Sequence, residues 1–247
     1  MTNVLITGAN RGIGKGLLSA YLSRADHTII AGLRDPQSES SKALQTLPHG
    51  KGSKVILVKL DSSSETDALS AIKTIEREHH ITQLDIVIAN AGISNYFGPA
   101  AATPSEQMFA HFRVNTVAPL LLFQACASLL RAAGPDAKFV VISSGAGSLS
   151  GVEKLKVENT AYGASKAAVN FVTRRIHAEN PDLIAFPINP GWLQTDLGNH
   201  AASGAGFKSA PMTVEDGVNG IIGIIDSATR EDTSGKFMSS DGSQLDW

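Results

Sequence analysis

Short apolar runs rich in valine and isoleucine recur along this 247-residue chain, separated by longer stretches with helical periodicity. The runs are VLIT (4–7), TIIAGL (28–33), VILVKL (55–60), LDIVIA (84–89), KFVVIS (138–143), LIAFPI (183–188) and GKFM (235–238). They lack the polar–apolar alternation of a strand with one wet face, and suit strands covered on both faces. Helix candidates fill the gaps near 12–24, 38–47, 65–79, 105–131, 161–179 and 214–227. Such alternation implies a parallel sheet with right-handed crossovers. The expected fold is therefore α/β, a single doubly wound domain over 1–247 with a seven-stranded parallel sheet and helices on both faces. The segment 196–212, DLGNHAASGAGFKSAPM, is small, glycine-rich and aperiodic. It reads as the mobile part of a substrate loop spanning about 192–212.

Composition narrows the partners. With 43% hydrophobic residues the chain can bury a substantial core, and a net charge of −2 gives no footprint for nucleic acid. The lone cysteine, Cys126, lies in the apolar run LLFQACASLL and reads as core filling. The histidines are scattered outside any ligand spacing, so no metal is expected. No targeting pattern is visible, and no run approaches the ~20 apolar residues that span a bilayer. A cytoplasmic protein without a membrane partner is the expectation.

The first strand runs straight into a turn, VLITGANRGIG, with Gly8, Gly12 and Gly14 in it. Glycines there permit a tight turn and a close backbone approach to a pyrophosphate, which the next helix's free amides would bind. Asn10, Arg11 and Ile13 belong to the same loop. The loop marks the domain as Rossmann-type and points to a dinucleotide. The second strand ends in AGLRDP, with Arg34 where an acidic residue would favour NAD(H). Arg11 adds a second guanidinium. Two such groups near an adenosine ribose suit a 2′-phosphate, so NADP(H) is the expected cofactor. Asp35 either pairs with Arg34 or points to solvent.

Within TAYGASKAAV, Tyr162 and Lys166 stand four residues apart and share a helix face. A free phenol titrates near ~10. A neighbouring ammonium and an oxidised nicotinamide both favour its ionised form. A phenol tuned in this way can give a proton to a developing alkoxide and recover it in reverse. Ser144, at the end of the fifth run in VVISSGAG, offers a hydroxyl for the carbonyl oxygen. In FRVNTVAPLLLF, Pro119 has no amide hydrogen to give the carbonyl of Asn115. That carbonyl is thus expected to be free for a water.

The glycine spacing Gly-x-x-x-Gly-x-Gly and the YxxxK pair resemble the short-chain dehydrogenase/reductase family, whose pattern covers nearly the whole chain. Within it, the carbonyl-reductase, C-factor and norsolorinic acid ketoreductase-like members look most similar. The resemblance implies a catalytic set of Asn115, Ser144, Tyr162 and Lys166. It also implies that Asp61 in KLDS contacts adenine, and that Asn90 and Gly92 in ANAG lie at the cofactor, with Ala89 replacing the usual first asparagine. Tyr162 and Lys166 would contact the cofactor too. Pro190, Gly191, Leu193 and Thr195 in INPGWLQTDL would surround the nicotinamide. The interval from Ser144 to Tyr162 is longer than usual in the family, and GVEKLKVEN (151–159) reads as an insertion rimming the substrate cleft. Pocket candidates are Ile93, Tyr96, Phe97, Leu149, Trp192 and Phe207, which favour a bulky apolar or aromatic ketone, quinone or aldehyde. The expected activity is NADPH-dependent carbonyl reduction. A non-catalytic NADP(H) sensor and an alcohol oxidation at the same site are the alternatives. A homodimer or tetramer is also implied.

Overall fold

The computed structural model describes every residue except position 156. One sheet of eight strands runs through the molecule in the order β3-β2-β1-β4-β5-β6-β7-β8. The strands are β1 (Thr2–Thr7), β2 (His27–Leu33), β3 (Lys54–Lys59), β4 (Ile86–Ala89), β5 (Lys138–Ile142), β6 (Ile184–Asn189), β7 (Phe237–Ser239) and β8 (Gln244–Leu245). The first seven are parallel, as expected; the short β8 pairs antiparallel to β7 and was not foreseen.

The helices are α1 (Gly12–Leu22), α2 (Glu39–Lys42), α3 (Asp67–His79), α4 (Ser105–Phe112), α5 (Ala118–Ala133), α6 (Thr160–Glu179), α7 (Asp196–Gly204) and α8 (Val214–Ser227). Alternate strand residues feed two apolar layers. Val4 and Ile6 of β1 pack with Leu17 and Leu18 of α1 and Ile221 and Ile225 of α8. Leu5, between them, joins Ile72 of α3, Leu122, Cys126 and Leu129 of α5, and Val169 and Ile176 of α6. Burial on both faces explains why the strands lack polar alternation.

Three expectations need correction. The helix near 38–47 shortens to α2 followed by a 3₁₀ turn, Ala43–Thr46. The aperiodic segment 196–212 contains α7, whose start is capped by Thr195: its hydroxyl accepts from the Gly198 amide at 3.0 Å. Such a local cap supports a helix where hydrophobic periodicity is weak. The third concerns apolar length. Ser105–Ala133 is helical throughout, with a mean hydropathy of 1.5 in its most apolar window, and is long and apolar enough to cross a membrane by length and composition. Here its inner side packs on the sheet through Leu122, Cys126, Leu129 and Leu130.

The strand order reverses between β1 and β4, where the outgoing connections turn to opposite sides and leave a crevice at the strands' carboxyl ends.

Candidate active site

A cleft of about 1150 Å³ opens at that reversal. It collects nearly all the residues singled out in the sequence. Gly8, Asn10, Arg11, Gly12, Ile13, Arg34, Asp61, Asn90, Gly92, Ser144, Tyr162, Lys166, Pro190, Gly191, Leu193 and Thr195 all line it. Gly14 and Asn115 stand behind its wall.

The glycine loop is shaped by backbone constraints. Gly8 has φ +65°, a left-handed conformation that side chains disfavour. At Gly14 a Cβ would come within 2.3 Å of the Gly8 carbonyl oxygen and 2.5 Å of Asn90 Nδ2. Asn90 is therefore mainly a brace: its Nδ2 donates to the carbonyls of Thr7 at 2.8 Å and Gly8 at 3.3 Å. The Thr7 hydroxyl in turn accepts from the amides of Asn90 and Ala91, both at 3.0 Å. Arg11 occupies the N-cap of α1 in an extended conformation without a side-chain capping bond. No capping side chain thus competes for the helix's first amides, and this loop fits a diphosphate.

The end of the cleft beside Arg34 is polar. Arg11 and Arg34 line it with Ser38 and Ser40. Arg11 Nη1 lies 3.4 Å from Asp196 on α7, and Asn10 Nδ2 donates to Ser40 Oγ at 3.0 Å. Asp35 leaves Arg34 available, because its Oδ1 accepts from the Gln37 amide at 2.9 Å and its carbonyl accepts from the hydroxyls of Ser38 and Ser41. Burial raises the Asp61 carboxyl, but two hydrogen bonds from Ser63 and the charges of Lys59 and Arg34 outweigh it and hold the pKa below the usual range.

At the other end, α6 presents Tyr162 and Lys166 on one face. Lys166 Nζ lies 5.7 Å from the Tyr162 ring centroid and donates to the Ile142 carbonyl at 2.7 Å. Burial pushes the Lys166 ammonium down to about 8. The phenol is raised by burial, and a hydrogen bond with Ser144 opposes the rise. The protein alone thus raises the Tyr162 pKa, where the Tyr–Lys spacing led to the expectation of a lowered one, and keeps the phenol protonated, as a proton donor must be. Ser144 Oγ also accepts from the Ala146 amide at 3.2 Å, fixing the serine at the head of a 3₁₀ turn.

Asn115 is buried beneath these groups. Its side chain closes a two-bond ring with Ile93, accepting from that amide at 2.8 Å and donating to the carbonyl at 2.9 Å. It also donates to Ser165 Oγ at 3.0 Å. The chain answers the missing amide of Pro119 by widening: Arg113–Val117 form a π-helical turn between α4 and α5. Such insertions relieve the local hydrogen-bond register.

Of the pocket candidates, Ile93, Phe97, Trp192 and Phe207 line the cleft. Tyr96 and Leu149 do not. The Tyr96 hydroxyl turns back to the Ala102 carbonyl at 2.9 Å, and Leu149 is 73% exposed outside the cleft. Sequence reading missed Asn189, whose Oδ1 accepts from the Gly145 amide at 2.9 Å and so joins the end of β6 to the serine turn. Leu155, Val157, Leu197, Ala201 and Pro211 also stand in the wall; none was singled out by itself, although all fall in segments expected at the cleft, 151–159 and 192–212. Leu155 and Val157 belong to the 151–159 insertion, which rims the cleft as expected in its described part; position 156 lies outside the described residues.

A family model described as short chain dehydrogenase matches residues 2–206. The chain belongs to the short-chain dehydrogenase family. The norsolorinic acid ketoreductase of Aspergillus parasiticus is 46% identical over 248 residues, covering 100% of this chain and 91% of that protein. The counterpart from Dothistroma septosporum is 43% identical, covering 100% and 92%. Among solved structures, the NADPH-bound carbonyl reductase from chicken fatty liver superposes with TM-score 0.88 at 27% identity, covering 100% of this chain and 99% of that one. At the level of its family, this short-chain dehydrogenase is an oxidoreductase of the ketoreductase and carbonyl reductase kind.

Proposed function

We propose that the protein reduces a bulky aromatic or apolar ketone with NADPH. One observation carries this reading: Tyr162 and Ser144 line the same cleft as a glycine loop shaped for a diphosphate, with Lys166 Nζ 5.7 Å from the phenol ring centroid.

When bound, the nicotinamide supplies the hydride. The chain's own residues do the rest. Ser144 donates to the carbonyl oxygen and orients it, offsetting charge as the oxygen gains it. Tyr162, protonated at neutral pH, delivers the proton to that oxygen. Lys166 keeps a positive charge beside the phenol and favours the phenolate left behind. Asn115 holds Ile93 and Ser165 in fixed relation to this group. Arg11 and Arg34 supply donors for a 2′-phosphate, which favours NADPH over NADH. Ile93, Phe97, Trp192 and Phe207, with Leu155 and Val157, give the substrate end an apolar wall that a fused aromatic ring system fills better than a small acid does. The sequence relatives named for norsolorinic acid reduction and the NADPH-bound structural neighbour support the same reading.

The test is NADPH oxidation, followed by absorbance, against aryl ketones, quinones and small keto acids, with NADH as the competing cofactor. Turnover of aryl ketones or quinones by the wild type, lost in Tyr162→Phe while NADPH binding remains, supports the proposal. Cofactor binding without turnover of any carbonyl would leave only a sensor.

A further inference from the structure

The turn that carries Ser144 is held on two sides. On its inner side, Asn170 of α6 accepts from Ser143 Oγ at 2.5 Å and donates to the Gly147 carbonyl at 3.3 Å. Gly147 packs so closely on α6 that a Cβ there would stand 2.7 Å from the Lys166 carbonyl carbon. On its outer side the contact comes from the opposite end of the sequence. Ser148 Oγ donates to the Asp246 carbonyl at 2.8 Å and accepts from the Gly151 amide at 3.1 Å. The Ser150 amide donates to a Trp247 main-chain oxygen at 3.0 Å. The Trp247 ring is itself clamped. It stacks on Phe237 of β7 with centroids 5.7 Å apart at 23°, and the Arg174 guanidinium of α6 lies 5.0 Å over it. Trp247 thus touches the sheet, the helix of Tyr162 and Lys166, and the segment leaving the serine turn.

We infer that Trp247 is a positioning residue for Ser144: clamped between Phe237 and Arg174, it pins residues 148–150 and so holds the serine hydroxyl in register with helix α6. The inference rests on the role given above to Ser144 as the group that orients the carbonyl. The turn itself is short, with Gly147 donating to Ser144 and Ser148 donating to Gly145 across its 3₁₀ core. Asn170 and Asn189 hold its inner side, while Ser148 and Ser150 on its outer side are tied, among the described residues, only to Asp246 and Trp247 and within their own loop. Small displacements of an orienting donor cost rate rather than binding.

The experiment measures NADPH-dependent reduction of whichever ketone in the panel the wild type turns over fastest. Trp247→Ala is expected to lower kcat about tenfold while leaving NADPH affinity within about twofold. Trp247→Phe keeps the stack and restores most of the rate. Ser148→Ala removes one tie with the ring still in place and gives a smaller loss. Two readouts separate positioning from general damage. In a Ser144→Ala background, Trp247→Ala should cost almost nothing further, because the group it acts through is gone. Beyond the first alkaline fall, set by Lys166 at about 8, the phenol's own limb of the kcat–pH profile should move to higher pH in Trp247→Ala, because the Ser144 hydrogen bond that lowers the phenol pKa is weakened. An equal fractional loss in both backgrounds with an unmoved limb, or no loss in an active wild type, overturns the inference alone. A wild type that reduces no carbonyl overturns the reductase reading, and the inference with it.

Discussion

The two ends of the sheet's strands hold a cation in opposite ways. At the amino end of β6, the Arg230 guanidinium donates to the Leu183 carbonyl at 2.7 Å, Ser234 Oγ at 3.1 Å and the His177 carbonyl at 2.8 Å, with His177 Nδ1 at 2.6 Å. Ser234 Oγ also accepts from the Ala185 amide at 2.9 Å, so the knot ties α6 to the start of β6. At the carboxyl end, Lys166 is buried deeply enough to depress its pKa to about 8. One end surrounds its cation with partners and gains stability. The other keeps a costly ammonium beside the phenol, where the proposed proton transfer would use it. This is a trade of stability for function within one helix, α6.

The largest expected effect breaks the catalytic side of that contrast. Tyr162→Phe should lower kcat for ketone reduction by on the order of a thousandfold with little change in NADPH affinity, read by steady-state assay and fluorescence titration. Ser144→Ala follows with a loss of roughly a hundredfold, in kcat more than in KM.

Next come the guanidinium groups. Arg34→Leu should weaken NADPH about ten- to a hundredfold while barely touching NADH, since one charge-assisted interaction with a 2′-phosphate is lost. Equal losses for both cofactors would show that Arg34 acts on the fold rather than on the phosphate.

Lys166→Met sharpens the comparison through stability. The folded pKa of Lys166 lies below its unfolded value of ~10.4, so between about 8 and that value the unfolded chain binds the extra proton. Wild-type stability therefore rises with pH across this window relative to the methionine variant, by up to roughly 3 kcal/mol. Urea melts at pH 7 and 9.5 read the difference, and a gap that is constant with pH would contradict it.

The opposite end of the strands gives the smallest effect. His177 is lowered by burial and by the charges of Arg230 and Arg174. A depressed histidine leaves stability intact above its unfolded pKa near ~6.5 and removes it as the pH falls below that value. The imidazole is partly exposed, so the acid loss should be under about 1 kcal/mol and should vanish in His177→Gln, as thermal melts between pH 7 and 5 would register.

Much of this molecule was legible as local pattern. The glycine turn, the Tyr162–Lys166 spacing and the parallel strands depend on residues near one another in sequence, where periodicity and backbone freedom speak directly. The misses share a different cause. Whether Leu149 enters the cleft depends on how its loop is tied to Asp246 and Trp247, nearly a hundred positions away. The Arg230–His177 knot joins residues 53 apart and leaves no sequence period. The role of Asn90 was visible only once the Thr7 and Gly8 carbonyls stood beside it. The π turn at Asn115 was half-readable: Pro119 announced the broken bond, but not how the backbone would absorb it. Except at the π turn, the deciding contact joins residues far apart in sequence, which the fold must assemble before it exists.

The central claim is that Tyr162 hands over the proton while Ser144 holds the carbonyl oxygen. The most direct measurement is the pH dependence of kcat for NADPH-driven ketone reduction, in the wild type and in Ser144→Ala. A protonated donor predicts activity that falls on the alkaline side in two steps: the first, as Lys166 loses its proton at about 8, stays in place in Ser144→Ala, and the second, the phenol's own, moves to higher pH when the serine hydroxyl, which lowers the phenol pKa, is removed. A second step that stays in place in Ser144→Ala, or a rate that rises through either step, would contradict the account.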